Sequence, residues 1–121
     1  MLTDRFANAS ETAREFADGE LIVRKGDPGR EMFIIQSGGA IVRNAAGEEI
    51  ARLRRGEFFG EMSVLESSPR DADVFADGDT RVLALGSGAL FIRLRRDPSF
   101  ALELLQALSG RVRALNERLQ A

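Results

Sequence analysis

The 121-residue sequence contains neither cysteine nor histidine. The lack of cysteine excludes disulfides, thiolate catalysis and cysteine-based zinc sites, and the lack of histidine removes the commonest metal ligand and the usual general base. A catalytic site would have to work with carboxylates alone, or with carboxylates and a hydroxyl, which is a narrow chemical repertoire. We therefore expect a protein that is not an enzyme, with no catalytic residues, no metal site and no cofactor.

Long apolar runs are missing as well. No stretch approaches the roughly 20 apolar residues that a membrane-spanning helix needs, and residues 1–5 lack the apolar segment of a secretory signal peptide. The net charge of −2, from 17 basic and 19 acidic residues, gives no electrostatic reason to expect nucleic acid, whose binding requires several phosphates to be neutralised. We expect a single cytoplasmic domain over residues 1–121 that binds neither nucleic acid nor a membrane.

The central part of the chain has the pattern of a β-protein. Between Thr12 and Leu85, short apolar or alternating runs are separated by turn residues, which is typical of an all-β barrel or sandwich. Seven strands with glycine corners favour a jelly roll, a double-stranded β-helix barrel, over about residues 12–86. The predicted strands are residues 13–16, 20–24, 31–36, 40–43, 48–53, 72–76 and 81–85. The third contains four consecutive apolar residues, so we expect it to be central and covered on both faces.

Helical patterns flank the predicted barrel. A short N-terminal helix is predicted over residues 2–9, and C-terminal helices are predicted over about residues 87–121. Asp97 and Pro98 interrupt the C-terminal pattern. We therefore predict Asp97 as the N-cap of the last helix and Pro98 as a residue of its first turn.

The last helix carries a heptad-like apolar stripe. Its residues Leu108, Val112, Leu115 and Leu119 are separated by steps of 4, 3 and 4. We expect the first half of the helix to pack on the barrel, and the second half to contact a ligand or a second subunit. Gly110 lowers helix stability by about 1 kcal/mol relative to alanine and would permit a bend.

Residues 59–74 form a segment between two predicted strands that is too long for a hairpin turn and too apolar for a floppy loop. Gly60 followed by residues 61–65 predicts a single helical turn, whose first amides have no partner within the helix. Such an end attracts anions, and a glycine allows the main chain to approach one closely. Arg70 follows this turn and precedes the alternating residues 72–76. We interpret the guanidinium and the amides as a phosphate-binding site.

This segment and further stretches resemble a known family. Residues 16–22, 26–29, 32–38 and 55–61, followed by Pro69-Arg70, are similar in order and spacing to landmarks of the cyclic nucleotide-binding domain family. That family includes regulatory subunits of cyclic AMP-dependent kinase, catabolite activator protein and cyclic nucleotide-gated channels. The resemblance extends from about Thr12 to the terminal helix. It implies a jelly roll with an inserted cassette helix and a cyclic nucleotide, cAMP or cGMP, as the ligand.

The resemblance also implies residue roles. Glu61 would accept a hydrogen bond from the ribose 2′-hydroxyl, and Arg70 would pair with the exocyclic oxygens of the cyclic phosphate. Main-chain amides of Gly60, Met62 and Ser63 would complete the anion site. The chemistry agrees, since a carboxylate accepts from a hydroxyl and an arginine matches two phosphate oxygens. The implied ligand-binding set is Gly60, Glu61, Met62, Ser63, Arg70, Asp71 and Ala72.

Asp71 departs from the pattern of ligand-binding members, in which the residue after the arginine is typically small or carries a hydroxyl. At about 4 Å from a phosphate its carboxylate would cost on the order of 4 kcal/mol at an effective dielectric constant near 20, or about three decades of affinity. The side chain could instead turn outward or accept from a guanine amino group. Asp73 is expected on the other strand face.

Two functions remain open. The leading hypothesis is a stand-alone sensor in which cAMP or cGMP binds the jelly roll and the C-terminal helix docks again as a lid, with Leu115, Leu119 or the stem of Arg118 over the base. Since the sequence contains no output domain, we expect either a separate effector protein as partner or a fragment of a larger protein.

The alternative is a degenerate domain that binds no nucleotide and acts in dimerisation or docking through its C-terminal helix. In that case Glu61 would only lie near the helix dipole, and Arg70 would pair with Glu61, Asp71 or Asp73. An enzyme of the metal-dependent jelly-roll type is disfavoured because such sites use several histidines.

Overall fold

The computed structural model describes residues 10–120. The helix predicted over residues 2–9 lies outside the described residues. The chain divides into two compact units, of which one ends at Leu90 and the other begins at Phe91. Each unit is described by itself, and the expectation of a single domain over residues 1–121 stays a prediction.

From residue 10 onward, the first unit is built on an antiparallel sheet of six strands. In chain order its elements are β1 (Glu11–Phe16), β2 (Leu21–Val23), β3 (Glu31–Arg43), β4 (Glu49–Arg54), β5 (Phe58–Phe59), α1 (Glu61–Glu66) and β6 (Asp73–Gly86). The strand order is β1-β6-β3-β4, with β2 also paired to β6 and β5 also paired to β3. The mainly β architecture and the short helix between β5 and β6 agree with the sequence prediction.

Two of the predicted strand breaks are wrong. Residues 31–36 and 40–43 belong to the single strand β3, and residues 72–76 and 81–85 fall almost entirely within the single strand β6. Gly38 and Gly78, with φ values of 79° and 77°, bend the strands without ending the β3–β6 pairing, whose register shifts on either side of Ser37. A glycine with positive φ is typical of a β-bulge as well as of a turn. The two-residue strand β5 was not predicted.

The prediction of a central strand is confirmed. Strand β3 pairs with β6 along one edge and with β4 and β5 along the other. Three of its four consecutive apolar residues, Met32, Phe33 and Ile35, are buried. The core cluster around this strand consists of Phe33, Ile35, Ala40, Leu53, Phe59, Val74, Val82 and Ala84.

Up to residue 120, two helices follow the sheet. Helix α2 (Ser87–Arg96) begins directly after β6, and α3 (Pro98–Gln120) fills most of the second unit. The predicted N-cap is confirmed, since the main-chain N–H of Phe100 donates to Oδ1 of Asp97 at 3.0 Å. Helix α3 continues through Gly110 without a break. Among residues 10–120, neither helix is long and apolar enough to cross a membrane.

The second half of α3 is exposed. Val112 and Leu115 are more than half exposed, and Leu119 is 84% exposed. In the first half, Leu104 is buried whereas Leu105 is exposed. The apolar stripe of α3 is therefore accessible over its C-terminal part.

Candidate functional site

Gly60 fixes the start of the cassette, the segment of residues 60–72 that contains α1. Its φ of 81° and ψ of 4° lie in the left-handed region, and it directly precedes the first residue of α1. A Cβ atom at this position would lie 2.7 Å from Nη1 of Arg70 and 3.2 Å from the main-chain oxygen of Glu31. Both the backbone conformation and the close approach of the arginine therefore require glycine.

Arg70 is a buried cation held by main-chain carbonyls. Its residue is only 8% exposed. Nη1 donates to the main-chain oxygen of Gly60 at 3.1 Å, and Nη2 donates to that of Glu31 at 2.6 Å. The guanidinium carbon lies 5.4 Å from the ring centroid of Phe33, whose ring stacks on Phe59 with centroids 5.1 Å apart. The guanidinium is thus oriented by β3 on one side and by the start of the cassette on the other.

The turn between β2 and β3 holds the main chain at Arg70. The N–H of Gly26 donates to the main-chain oxygen of Arg70, and the N–H of Arg70 donates to that of Asp27, both at 2.8 Å. Pro28 and Pro69 form an isolated antiparallel bridge next to these bonds. Residues 26–29, which resemble a family landmark, therefore have a structural role. Their turn fixes the main chain at the C-terminal end of the cassette.

Glu61 and Ser63 are buried in the first turns of α1. Glu61 is 3% exposed, and its Oε2 accepts from the N–H of Met62 at 3.1 Å. The hydroxyl of Ser63 donates to the main-chain oxygen of Pro69 at 3.4 Å, and its main-chain oxygen accepts from Ser68 at 3.1 Å. One of the amides expected at the anion site thus has a carboxylate partner in this structure.

Two of the acids that could have paired with Arg70, Asp71 and Asp73, have other surroundings. Asp73 accepts from the N–H of Lys25 at 2.7 Å, while Ala72 and Val74 on either side of it are buried, as the alternation predicted. Asp71 is exposed. The hydrogen bonds shown for the guanidinium go to main-chain carbonyls. The alternative function, in contrast, expected Arg70 to form an ion pair with a neighbouring acid.

Burial and nearby negative charges shift the pKa of Arg70 in opposite directions. Desolvation lowers the pKa of the guanidinium, and the negative charges of Glu31, Glu61, Asp27 and Asp71 raise it in part. An arginine nevertheless stays protonated at neutral pH. The site therefore presents a permanent positive charge with little access to water.

The seven predicted site residues all lie in the cassette, and the structure brings Arg70 near its end into contact with Gly60 at its start. Five of them are buried or partly buried, whereas Met62 and Asp71 are exposed. The sequence did not indicate Glu31, whose contribution is a main-chain oxygen, or the contact of Phe33 with the guanidinium. Within residues 10–120 there is no group of three or more acidic side chains that could hold a metal ion.

Comparison with known proteins identifies the family. The family model described as "Cyclic nucleotide-binding domain" matches residues 13–97. The chain belongs to the cyclic nucleotide-binding domain family. This confirms the resemblance of the cassette and of the other stretches, and it assigns the sheet and the helices that follow it to the jelly-roll fold of this family.

Relatives of the domain include regulatory proteins. The chain is 36% identical over 85 residues to the cAMP-dependent protein kinase regulatory subunit of Hypocrea atroviridis. The aligned residues cover 70% of this chain and 18% of that protein. The Thermus thermophilus catabolite activator protein matches with a TM-score of 0.80 and 32% identity over 91% of this chain and 54% of that one. The regulatory domain of Toxoplasma gondii PKA, crystallised with cAMP, has a TM-score of 0.65 and 27% identity, covering 88% and 41% of the two chains. The chain spans about a fifth of the length of the curated relatives it matches.

Proposed function

We propose that the domain binds cAMP or cGMP in its cassette, with the cyclic phosphate at Arg70 and the ribose 2′-hydroxyl at Glu61. The observation that carries the proposal is the burial of a guanidinium whose partners are two neutral carbonyls. A buried charge is costly unless it is paired, and carbonyl dipoles compensate it only in part. A phosphate beside Arg70 would pair with the guanidinium directly, in addition to the nearby acids that act on its charge.

The remaining donors of the site fit the same ligand. A guanidinium has five N–H donors, and the bonds to Gly60 and Glu31 use two of them. The amides of Gly60, Met62 and Ser63 belong to the same turn, and that of Met62 would exchange its bond with Glu61 for one with the phosphate. Glu61 would then accept from the ribose hydroxyl.

Asp71 bears on both affinity and base preference. Its side chain is exposed, whereas Arg70 and Ala72 on either side are buried. This favours the outward orientation over one that faces a phosphate next to the buried guanidinium. A carboxylate near the rim would accept from the 2-amino group of guanine, whereas adenine carries only a C–H group at that position.

We further propose that binding is coupled to a change in position of α3, with no catalytic step. Leu115, Leu119 or the stem of Arg118 would cover the base, and the first two expose apolar surface that such a contact would bury. The resulting two-state helix would act on an effector protein. The regulatory roles of the named relatives support a binding module without catalysis.

Calorimetric titration with cAMP and cGMP tests the proposal. We expect saturable binding by the wild type and its loss in Arg70→Ala, since removing one partner of a buried charge pair costs several kcal/mol. Arg54→Ala is the matched control, because Arg54 is exposed at the end of β4. Asp71→Ser is expected to be neutral or to bind more tightly. Equal heats for wild type and Arg70→Ala would contradict the proposal.

A second candidate function is a protein-interaction or dimerisation module that binds no nucleotide. The exposed part of the α3 stripe, Val112, Leu115 and Leu119, favours it, and Leu105 on the same helix is exposed as well. In that case the wild type gives no heat with either nucleotide, and sedimentation equilibrium shows self-association that Leu115→Ser combined with Leu119→Ser removes. A monomer that binds nucleotide would exclude it.

A further inference from the structure

Glu31 has contacts on both its main chain and its side chain. Its main-chain oxygen accepts from Nη2 of Arg70 at 2.6 Å, and its carboxylate Oε2 accepts from Nη2 of Arg14 at 2.8 Å. The side chain of Glu31 is 18% exposed and that of Arg14 is 42% exposed. One residue at the start of β3 thus joins the strand β1 to the guanidinium of the cassette.

The negative charge of Glu31 acts on the guanidinium of Arg70. Among the acids near Arg70, Glu31 has the largest effect on the pKa of the guanidinium and raises it, ahead of Glu61, Asp27 and Asp71. A charge that attracts the guanidinium also repels an anion bound beside it. Left unpaired, the carboxylate of Glu31 would therefore weaken the attraction of Arg70 for a phosphate.

We propose that Arg14 supports cyclic nucleotide binding indirectly. It neutralises the charge of Glu31 and so preserves the attraction of Arg70 for the phosphate. Arg14 does not touch the ligand in this proposal and acts through Glu31. The inference rests on the proposed function, since it concerns the same anion. Because partly exposed ion pairs contribute little to stability, the pair matters for binding more than for folding.

A double-mutant cycle measured by calorimetry at low ionic strength tests the inference. Arg14→Ala is expected to weaken cyclic nucleotide binding by about three- to tenfold, because it leaves the negative charge of Glu31 uncompensated. Glu31→Gln keeps the main-chain oxygen and removes the charge, so it is expected to bind as tightly as the wild type or more tightly. The double variant is expected to regain the affinity of Glu31→Gln.

The directions of these affinity changes distinguish an electrostatic effect of the Arg14–Glu31 pair from a structural role of the pair. If the ion pair only held β1 in place, Arg14→Ala and Glu31→Gln would weaken binding to a similar extent and the double variant would not recover. The effect of Arg14→Ala is also expected to shrink as salt is added, since screening reduces an interaction across partly exposed groups. Arg14→Lys, which keeps the positive charge, is expected to retain most of the wild-type affinity.

Arg81→Ala provides the matched control. Arg81 is 50% exposed and pairs with Glu15 of β1 at 3.2 Å, so it also links β1 to a neighbouring strand, but Glu15 is not among the acids that act on Arg70. We expect Arg81→Ala to bind cyclic nucleotide with the affinity of the wild type. Unchanged affinity in Arg14→Ala, or weakening in Glu31→Gln, overturns this inference while leaving the proposed function intact. A wild type that binds neither nucleotide overturns both.

Discussion

Nη2 of Arg70 donates to the main-chain oxygen of Glu31 at 2.6 Å, across 39 positions of the sequence. The cation of the candidate site is therefore held by the first residue of the central strand β3. Gly60 provides the second carbonyl, at 3.1 Å. The orientation of the guanidinium thus depends on the pairing of the sheet as well as on the cassette.

Gly60→Ala is expected to disturb both stability and binding. A left-handed φ strains a non-glycine residue by about 1–3 kcal/mol, and the added Cβ would lie 2.7 Å from Nη1 of Arg70. Gly47→Ala is the matched control, because Gly47 has the same φ of 81° and nothing within 4 Å of an added Cβ. Urea unfolding should show a larger loss for Gly60→Ala, and calorimetry should show that only this variant loses nucleotide affinity. Equal losses of stability would refute the steric argument.

Thr80→Val is expected to destabilise the bend of the sheet. The buried hydroxyl of Thr80 donates to the main-chain oxygen of Gly39 at 2.9 Å and accepts from its N–H at 3.2 Å. Loss of the hydroxyl leaves buried main-chain groups without a partner, at a cost of about 1–3 kcal/mol. Thr80→Ser keeps the hydroxyl and should lose much less in urea unfolding. If the two variants unfold at the same denaturant concentration, the hydrogen bonds do not stabilise this region.

Asp97→Ala is expected to weaken the start of α3 by about 1 kcal/mol, because it removes the N-cap acceptor of the Phe100 N–H. Asp97→Asn keeps an acceptor oxygen and is the control. Amide hydrogen exchange at Phe100 should become faster in the alanine variant and change little in the asparagine variant. Unaltered exchange in both would show that the cap does not limit fraying.

Stability is expected to depend on Glu49 under acidic conditions. Arg52 donates to its carboxylate at 2.8 Å and 3.2 Å, and these hydrogen bonds lower the pKa of Glu49. A folded-state pKa below the unfolded one gives stability that is present above the unfolded pKa, about 4.3, and is lost as the pH falls through the folded value.

Glu49→Gln should therefore flatten the loss of stability on acidification, by a small amount because the pair is exposed. Urea midpoints measured between about pH 3 and pH 7 would check this. Identical pH profiles for wild type and variant would contradict it.

Local patterns in the sequence correctly predicted those structural features that depend on residues close together in the chain. Four consecutive apolar residues indicated the central strand β3, and Asp97 before Pro98 indicated the start of α3. The ends predicted at Gly38 and Gly78 were wrong because a positive φ is common to turns and bulges. Continued pairing there depends on contacts such as Ser37 with Arg81, which lie far apart in sequence.

The cassette was predicted from its residue types, but the support of Arg70 was not. Gly60, Glu61 and Arg70 have distinctive chemistry and spacing, so their proximity could be expected. The carbonyl of Glu31 could not, since every residue carries the same main-chain oxygen and only the folded chain selects one. The assignment of the individual ligand contacts stays a prediction.

Strand β6 begins at Asp73, three residues after Arg70, and its last residue, Gly86, is followed directly by Ser87 of α2. No loose linker separates the strand from the helix. A displacement at the guanidinium therefore has a covalent route to the first helical turn, along a strand that is hydrogen-bonded to β1, β2 and β3. Insertion of flexible residues between Gly86 and Ser87 would give the chain the slack that it lacks.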